Sequence, residues 1–480
     1  MSEISLVWLR RDLRLHDHVP LHAVLQAPHP VQLVFVFDTD ILAHFPNPND
    51  RRVRFLAHTL CHLHQQLQAR GGGLLVVHGR ATEVIPKLAH VLKVATVHVS
   101  EDFEPQPISR DAAVKSALPA GTTMQQHVDH VMLPPYAVLK DNGEPFKVFT
   151  PYYKKWLSKL SPMSAAEYAI DDAGRYADFV AIVKASEAAG LTLLHPARGA
   201  AAMLEAIGCR DNAEPLWNVT QVRERLENFI RSKLRAYPAA RDMLAGQGTS
   251  QISPYLRFGL VSVRECMREA QAQGGGEKWM NELCWREFYM AILYHFPESA
   301  HTEFMAQYRA LVWHDNPEHF AAFCEGRTGY PVVDAAIREL LTTGWMHNRA
   351  RMIVASFLTK DLFIDWRKGE AFFALHLMDY ELSSNAGGWQ WAASTGTDAA
   401  PYFRVFNPIL QSKKFDADGA YIKAYVPQLR GMDARDIHAP WESLMRPKEY
   451  PLPIVDHKIA KDYAVQAFRA LGFKMGGELP

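Results

Sequence analysis

The sequence predicts two domains: an α/β N-terminal domain built on a doubly wound five-stranded parallel sheet, and a larger all-α C-terminal domain. Three observations predict it. The 480 residues exceed what one hydrophobic core ordinarily serves. In the first third, short apolar runs alternate with helical patterns, as in strand-helix-strand units whose parallel strands are covered on both faces. Beyond Gly199 helical periodicity recurs, while no alternating strand pattern does. The boundaries read as 1–133 for the α/β domain, 134–198 for an interdomain connection and 199–480 for the helical domain.

Buried strands are predicted at 5–9, 31–38, 74–78 and 96–100, each a short apolar run. The clearest helix covers 51–70, with Phe55, Leu60, Leu63 and Leu67 at helical spacing and Gly71-Gly72-Gly73 as its stop. A second covers 82–92, with Thr82 as N-cap and Pro86 early enough to be tolerated. From 134 to 198 periodicity weakens, and Pro134-Pro135, Asp141-Asn142-Gly143 and Asp171-Asp172-Ala173-Gly174 read as turns. Helices of the second domain are predicted at 222–237, 261–273, 278–294, 332–342 and 349–358.

Composition narrows the class. With 48% hydrophobic and 22% charged residues, the chain is expected to be soluble and globular. Lys+Arg and Asp+Glu both total 52, so nucleic-acid binding needs a local basic face and not bulk charge. The five cysteines, Cys61, Cys209, Cys266, Cys284 and Cys324, form no C-x-x-C pair. Neither a metal site nor a disulfide framework is expected, and a reducing cytoplasm fits. The N-terminus lacks a basic, apolar leader, and no stretch reaches the ~18 uninterrupted apolar residues of a membrane helix. Neither export nor membrane insertion is expected.

Two segments could carry chemistry. Residues 387–398, GGWQWAASTGTD, combine large aromatics with small residues that permit close approach. Read alone, they are equally a tightly packed turn between helices. In Thr249-Ser250-Gln251-Ile252-Ser253, hydroxyls and backbone N–H groups could bind phosphate if a helix starts there. An ordinary N-cap explains them as well.

The longer blocks are more specific. GGWQWAASTGTDAAPYFRVFNP (387–408), GTSQISPYLRFG (248–259), NELCWREFY (281–289) and GYPVVDAAIRELLTTGWMHNRARM (329–352) resemble the photolyase/cryptochrome family, nearest its class I branch acting on cyclobutane pyrimidine dimers. VWLRRDLRLHDH (7–18) resembles that family's opening motif. The resemblance spans the chain in order. It implies an N-terminal antenna domain and a C-terminal helical domain enclosing FAD.

By the same resemblance, 249–253 hold the FAD pyrophosphate, and Tyr237, Trp279, Arg286, Asn348, Arg351, Asp379, Tyr380, Glu381 and Asn385 belong to the flavin site. Asn385 is expected to face flavin N5, where an amide can donate or accept a hydrogen bond. The family's Asp-x-Asp is Asp379-Tyr380-Glu381 here, which leaves the second carboxylate's contact open. Glu282, Trp285, Asn348, Met352 and Trp391 match positions lining the lesion pocket. There the tryptophans supply flat walls, and a buried, protonated Glu282 would donate to a pyrimidine carbonyl. Spacing alone would make Glu282 and Arg286 a surface ion pair. Arg241, Arg349 and Gln411 match DNA-contacting positions, with Lys413 and Lys414 as further phosphate contacts or plain solvated surface. Trp389, Trp366 and Trp313 match the family's electron relay to photo-oxidised flavin.

The antenna region is 100–111, at the end of a predicted strand, where doubly wound sheets bind ligands. Glu104 resembles a family position, while Gln106 and Pro107 depart from the Asn-Glu pair of some folate binders; His44 is a further candidate. Methenyltetrahydrofolate is expected ahead of 8-hydroxy-deazaflavin. The resemblance thus implies a monomeric, cytoplasmic enzyme repairing DNA that carries cyclobutane pyrimidine dimers. The alternatives are a cryptochrome-type photoreceptor and a six-four photoproduct photolyase. Asn385 and the absence of a long tail after Pro480 speak against the first, and WMHNRARM, with no second His at Asn348, against the other.

Overall fold

The computed structural model describes residues 3–472 except Pro46, Pro48, Asn212 and 399–404, so part of the 387–408 block lies outside the described residues. The chain divides into two compact units. One holds Met1–Leu139, Lys154–Leu234 and Gln251–Glu287; the other holds Lys140–Tyr153, Arg235–Ser250 and Phe288–Pro480. These lines fall elsewhere than the 133 and 199 boundaries read from sequence.

The first unit is organised by a sheet of β1 (Ile4–Leu9), β2 (Val31–Asp38), β3 (Leu74–Gly79), β4 (Val94–Ser100), β5 (Thr123–His127) and β6 (Thr192–Leu194). Their spatial order is β5-β4-β1-β2-β3-β6. Every residue of β1 and β2 is buried, as expected of central parallel strands covered on both faces. β1 pairs in parallel with both β2 and β4, Ser5 lying opposite Val31 and Thr96. The strand order therefore reverses at β1, the switch point of a doubly wound sheet.

The sheet has the five parallel strands expected, four of them where the sequence placed them and β5 at a position it did not, with one correction. A sixth strand, β6, comes from the connection and pairs antiparallel with β3, Val76 opposite Leu194. The connection also holds the helices Phe149–Lys159 and Phe179–Ala188. The Arg51–Gln68 helix starts where Asp50 accepts from the Arg52 N–H at 2.8 Å. The next helix is Ala81–Val91 and its cap residue is Arg80, which makes no side-chain capping bond, so Thr82 is not the N-cap expected.

The opening motif is consumed by buried charge pairing. Arg14 meets Asp129 at 2.7 Å, and Arg264 meets Asp17 at 3.1 Å and Asp129 at 3.0 Å. Burial alone would raise the Asp129 pKa, but Arg14, His18 and Arg264 hold it far below the usual carboxylate range. Gly259 closes the 248–259 block onto this motif at φ 70°, and a Cβ there would stand 2.0 Å from the Arg11 carbonyl oxygen. No other residue fits.

The second unit is helical; among the described residues every strand lies in the first. Its core gathers Pro331–Thr343, Asn348–Ser356, Trp366–His376 and Leu382–Ala393. The helix expected at 349–358 gives way after Ser356 to a π-helical turn, Phe357–Asp361, and the Leu362 N–H reaches back to the Phe357 carbonyl at 3.0 Å. Among the described residues no helix is long and apolar enough to cross a membrane.

Candidate functional site

Four predicted residues of the first unit stand on the Glu277–His295 helix. Trp279, Glu282, Trp285 and Arg286 fall at intervals of three, three and one, which keeps them along one side of it. Trp279 is buried against Phe229, ring centroids 5.1 Å apart. Trp285 is half-buried. Glu282 lies 3.4 Å from Lys278, and the Arg286 guanidinium donates to the His130 carbonyl at 2.6 Å. Each of the two side chains thus has a partner besides the one that spacing suggested. Glu282 is half-buried, not enclosed as expected.

Sequence reasoning missed Glu287 on the same helix. Its buried carboxylate accepts from the Met132 N–H at 2.5 Å and the Trp156 indole N–H at 2.7 Å. Burial outweighs these donors and pushes its pKa up to about 7.

The 249–253 run forms a turn into a helix, Ser253–Phe258, whose cap residue is Ile252 with no side-chain cap bond. The ordinary N-cap reading therefore fails. Gln251 adopts φ 51°, and its side-chain oxygen accepts from Arg225 at 2.9 Å.

In the second unit, Asp379 accepts two hydrogen bonds from Arg351, at 3.1 and 2.8 Å. Glu381 is buried and takes the Ser384 hydroxyl at 3.4 Å. Asn385 is buried, and its amide nitrogen donates to the backbone carbonyl of Glu370 at 3.0 Å and to its carboxylate at 2.9 Å. The Tyr380 hydroxyl donates to the same carboxylate at 3.2 Å. With its nitrogen so engaged, Asn385 presents its carbonyl oxygen as an acceptor. Glu370 was not legible, since it lies on a different helix from Asn385.

The three tryptophans expected to form a relay, Trp313, Trp366 and Trp389, share one core. Trp389 is 2% and Trp366 0% exposed, while Trp313 packs partly buried at the cluster's edge. Gly369 makes room for Trp389, because a Cβ there would stand 2.2 Å from the indole. The Trp366 indole N–H donates to Glu303 at 3.2 Å, a buried acid that also takes Arg367 at 2.7 Å.

The predicted DNA contacts also meet. Arg349 reaches Asp242 at 3.0 Å and Arg241 lies 3.8 Å from the same carboxylate. Arg349 covers the Phe415 ring at 4.5 Å and Lys414 stands 5.2 Å from it. Tyr237 is buried under Arg241, 5.6 Å away. Gln411 and Lys413 share the Pro408–Phe415 helix with Lys414. Asn348 opens the Asn348–Ser356 helix at an exposed position, its amide 4.0 Å from the Met352 sulfur. Trp391 is half-buried. Of the antenna candidates, His44 is exposed and bonded to the Asp40 carbonyl at 2.7 Å, while Glu104 stands at the cap of the Pro105–Ala117 helix without a side-chain capping bond.

Comparison with known proteins shows the family. The family profile described as DNA photolyase matches residues 5–169, and that described as FAD binding domain of DNA photolyase matches 279–470. Deoxyribodipyrimidine photo-lyase of Escherichia coli is 36% identical, over 97% of this chain and 98% of its own. The chain belongs to the DNA photolyase family. A photolyase of the same name from Salmonella typhimurium is 37% identical over 97% and 98%. Among solved photolyases, a class III enzyme from Agrobacterium tumefaciens superposes with TM-score 0.84 at 31% identity, covering 98% of both chains. An archaeal photolyase from Sulfolobus tokodaii, solved with two FAD molecules, gives 0.83 at 30%, over 97% of this chain and 99% of that one.

Proposed function

We propose that the protein is a deoxyribodipyrimidine photolyase, a carbon–carbon lyase that uses light to split cyclobutane pyrimidine dimers in DNA, acting as a cytoplasmic monomer. The observation that carries it is the Leu382–Ala393 helix. From one rigid element it presents Asn385, held by Glu370, Trp389, sunk in the core, and the half-buried Trp391. Asn385 and Trp389 are one turn apart and share a side, whereas Trp391 turns to another.

The residues suit FAD. Arg351 and the hydroxyls of Thr249, Ser250 and Ser253 are donors for flavin carbonyl and phosphate oxygens, and the Asn385 carbonyl is an acceptor for a flavin N–H. Bound FAD, once reduced, supplies the light-driven electron that starts ring splitting. Asp379 holds Arg351 in place. By the family resemblance, Trp285 and Trp391 are each flat faces on which a pyrimidine can stack, and Glu282, Asn348 and Met352 are polar and polarizable contacts for it. The dimer reaches them by leaving the duplex, as in other base-flipping enzymes, with Arg241, Arg349, Lys413 and Lys414 on phosphates and Gln411 as a further DNA contact. Trp313, Trp366 and Trp389 pass electrons inward to restore reduced FAD. The antenna is methenyltetrahydrofolate, with 8-hydroxy-deazaflavin second.

The test is direct. Purified protein with reduced FAD is mixed with an oligonucleotide carrying one thymine dimer and irradiated with blue or near-ultraviolet light. Restoration of intact thymines in light, none in the dark, and none on a six-four lesion are expected. Absence of light-dependent dimer repair would refute the reading. An absorption spectrum identifies the antenna.

A further inference from the structure

The strongest unassigned feature is a lysine inside the tryptophan core. Lys360 is 0% exposed. Its ammonium nitrogen donates to the Ala393 carbonyl at 2.8 Å and to the Ser394 hydroxyl at 3.1 Å, and stands 4.0 Å over the Phe468 ring. Two oxygens and an aromatic face match the three N–H donors of a lysine.

Ala393 is the last residue of the helix carrying Asn385, Trp389 and Trp391, and Ser394 ends it in the left-handed region at φ 62°. The final carbonyls of a helix have no partner of their own. Lys360 satisfies one of them from outside the helix, 33 residues away in sequence. Burying so long a side chain is expensive in desolvation, and its pKa is pulled well below that of an exposed lysine.

The segment bearing Lys360 touches all three relay tryptophans or the elements that hold them. Its π turn, Phe357–Asp361, turns inward with every residue buried. Phe363, at φ 51°, packs against Trp313 with centroids 5.1 Å apart, and its carbonyl accepts from the His314 N–H at 2.8 Å. Trp366 follows directly, and Gly369 seats Trp389. A π turn and a left-handed, non-glycine residue within a few positions are conformations that persist only when surrounding contacts enforce them.

We propose that Lys360 is a positioning residue for the electron relay, clamping the end of the Trp389 helix onto the segment that carries Trp366 and supports Trp313. The inference rests on the photolyase reading. With FAD bound in its oxidised form and excited by light, one electron would pass to it from Trp389, one from Trp366 to Trp389 and one from Trp313 to Trp366, and a solution thiol, oxidised to a thiyl radical with release of its proton, would refill Trp313. Each transfer falls steeply with separation, so the clamp acts on rate through distance.

Lys360→Met in the flavin-loaded protein is the test, because it keeps the apolar stem and removes the donors. The amides of Ser394, Thr395 and Gly396, which close on Trp391 and Gln390, are expected to exchange hydrogen about tenfold faster. Photoreduction with thiol should slow several-fold, while dimer repair by protein reduced beforehand with dithionite stays near wild type. Wild-type exchange and photoreduction would overturn the inference, and so would an equal fall in photoreduction and repair, which general loosening produces. If Lys360→Met does not fold, Ser394→Ala removes one partner of the amine and should show the same split at smaller size; no split overturns the inference. Wild-type protein that neither photoreduces nor repairs would instead refute the photolyase reading, and the exchange measurement would still decide the clamp.

Discussion

Two clusters of arginine and aspartate, one in each unit, use the same chemistry to opposite ends. In the first, Arg14 and Arg264 face Asp17 and Asp129, and the Arg14–Asp129 side chains are 2% and 0% exposed. Two cations meet two anions at hydrogen-bonding distance, with nothing left over for a ligand. In the second, Arg241 and Arg349 both approach Asp242, with Lys414 beside them over Phe415, and the Arg349–Asp242 side chains keep 16% and 34% of their exposure. Three cations gather there at a partly exposed place. The difference teaches that burial and charge balance, more than residue type, separate arginines that hold a fold from arginines that can hold phosphate.

The contrast can be broken most sharply from the buried side. Arg264→Met leaves Asp17 and Asp129 short of a partner in a buried setting, and is expected to cost about 3–5 kcal/mol in a urea unfolding curve. A loss below about 1 kcal/mol, the scale of a surface pair, would erase the distinction.

The buried side also includes an acid with no balancing cation at hydrogen-bonding distance among the described residues. Glu287 is pushed up to about 7 from an ordinary 4.5 by burial. Between those values the native protein holds a proton that the unfolded chain has released, so stability falls as pH rises, by up to about 3 kcal/mol across the window. Unfolding of the wild type and of Glu287→Gln at pH 5 and pH 7.5 checks this, and the variant should show the smaller slope. Asp129 has the opposite sign: held low, its contribution is present above pH ~4 and lost on further acidification.

The smallest effect on folding is expected at Arg349. Arg349→Ala should change stability by about 1 kcal/mol or less, yet weaken binding to dimer-bearing duplex and lower the salt-dependence slope by about 1, as loss of one phosphate contact does. An unchanged slope would move Arg349 into the structural class.

What was legible follows from where the information lies. β1 to β4 announce themselves as apolar runs because both faces are covered, and the helices beyond residue 199, which fall in both units, by period. β5, Thr123-Met124-Gln125-Gln126-His127, lies at the sheet's edge and needs no such run. β6 is three residues long, too short to show a pattern. No period reports a π turn. The candidate residues were found through contiguous blocks resembling a family, and their supports were not. Glu370 holds Asn385 from 15 positions away, Glu303 holds Trp366 from 63 and Lys360 meets Ala393 from 33. Such partnerships exist only once helices pack.

The short β6 has a consequence of its own. A sheet whose middle strands are as apolar as β1 and β2 would be a template for intermolecular stacking if its flanks were bare. On one flank, β6 occupies the Val76–His78 stretch of β3 with its own backbone; on the other, β5 shows a polar and partly exposed run. Three residues from a connecting segment, together with two glutamines, leave little for a second molecule to add to, which favours a chain that stays dispersed while it folds.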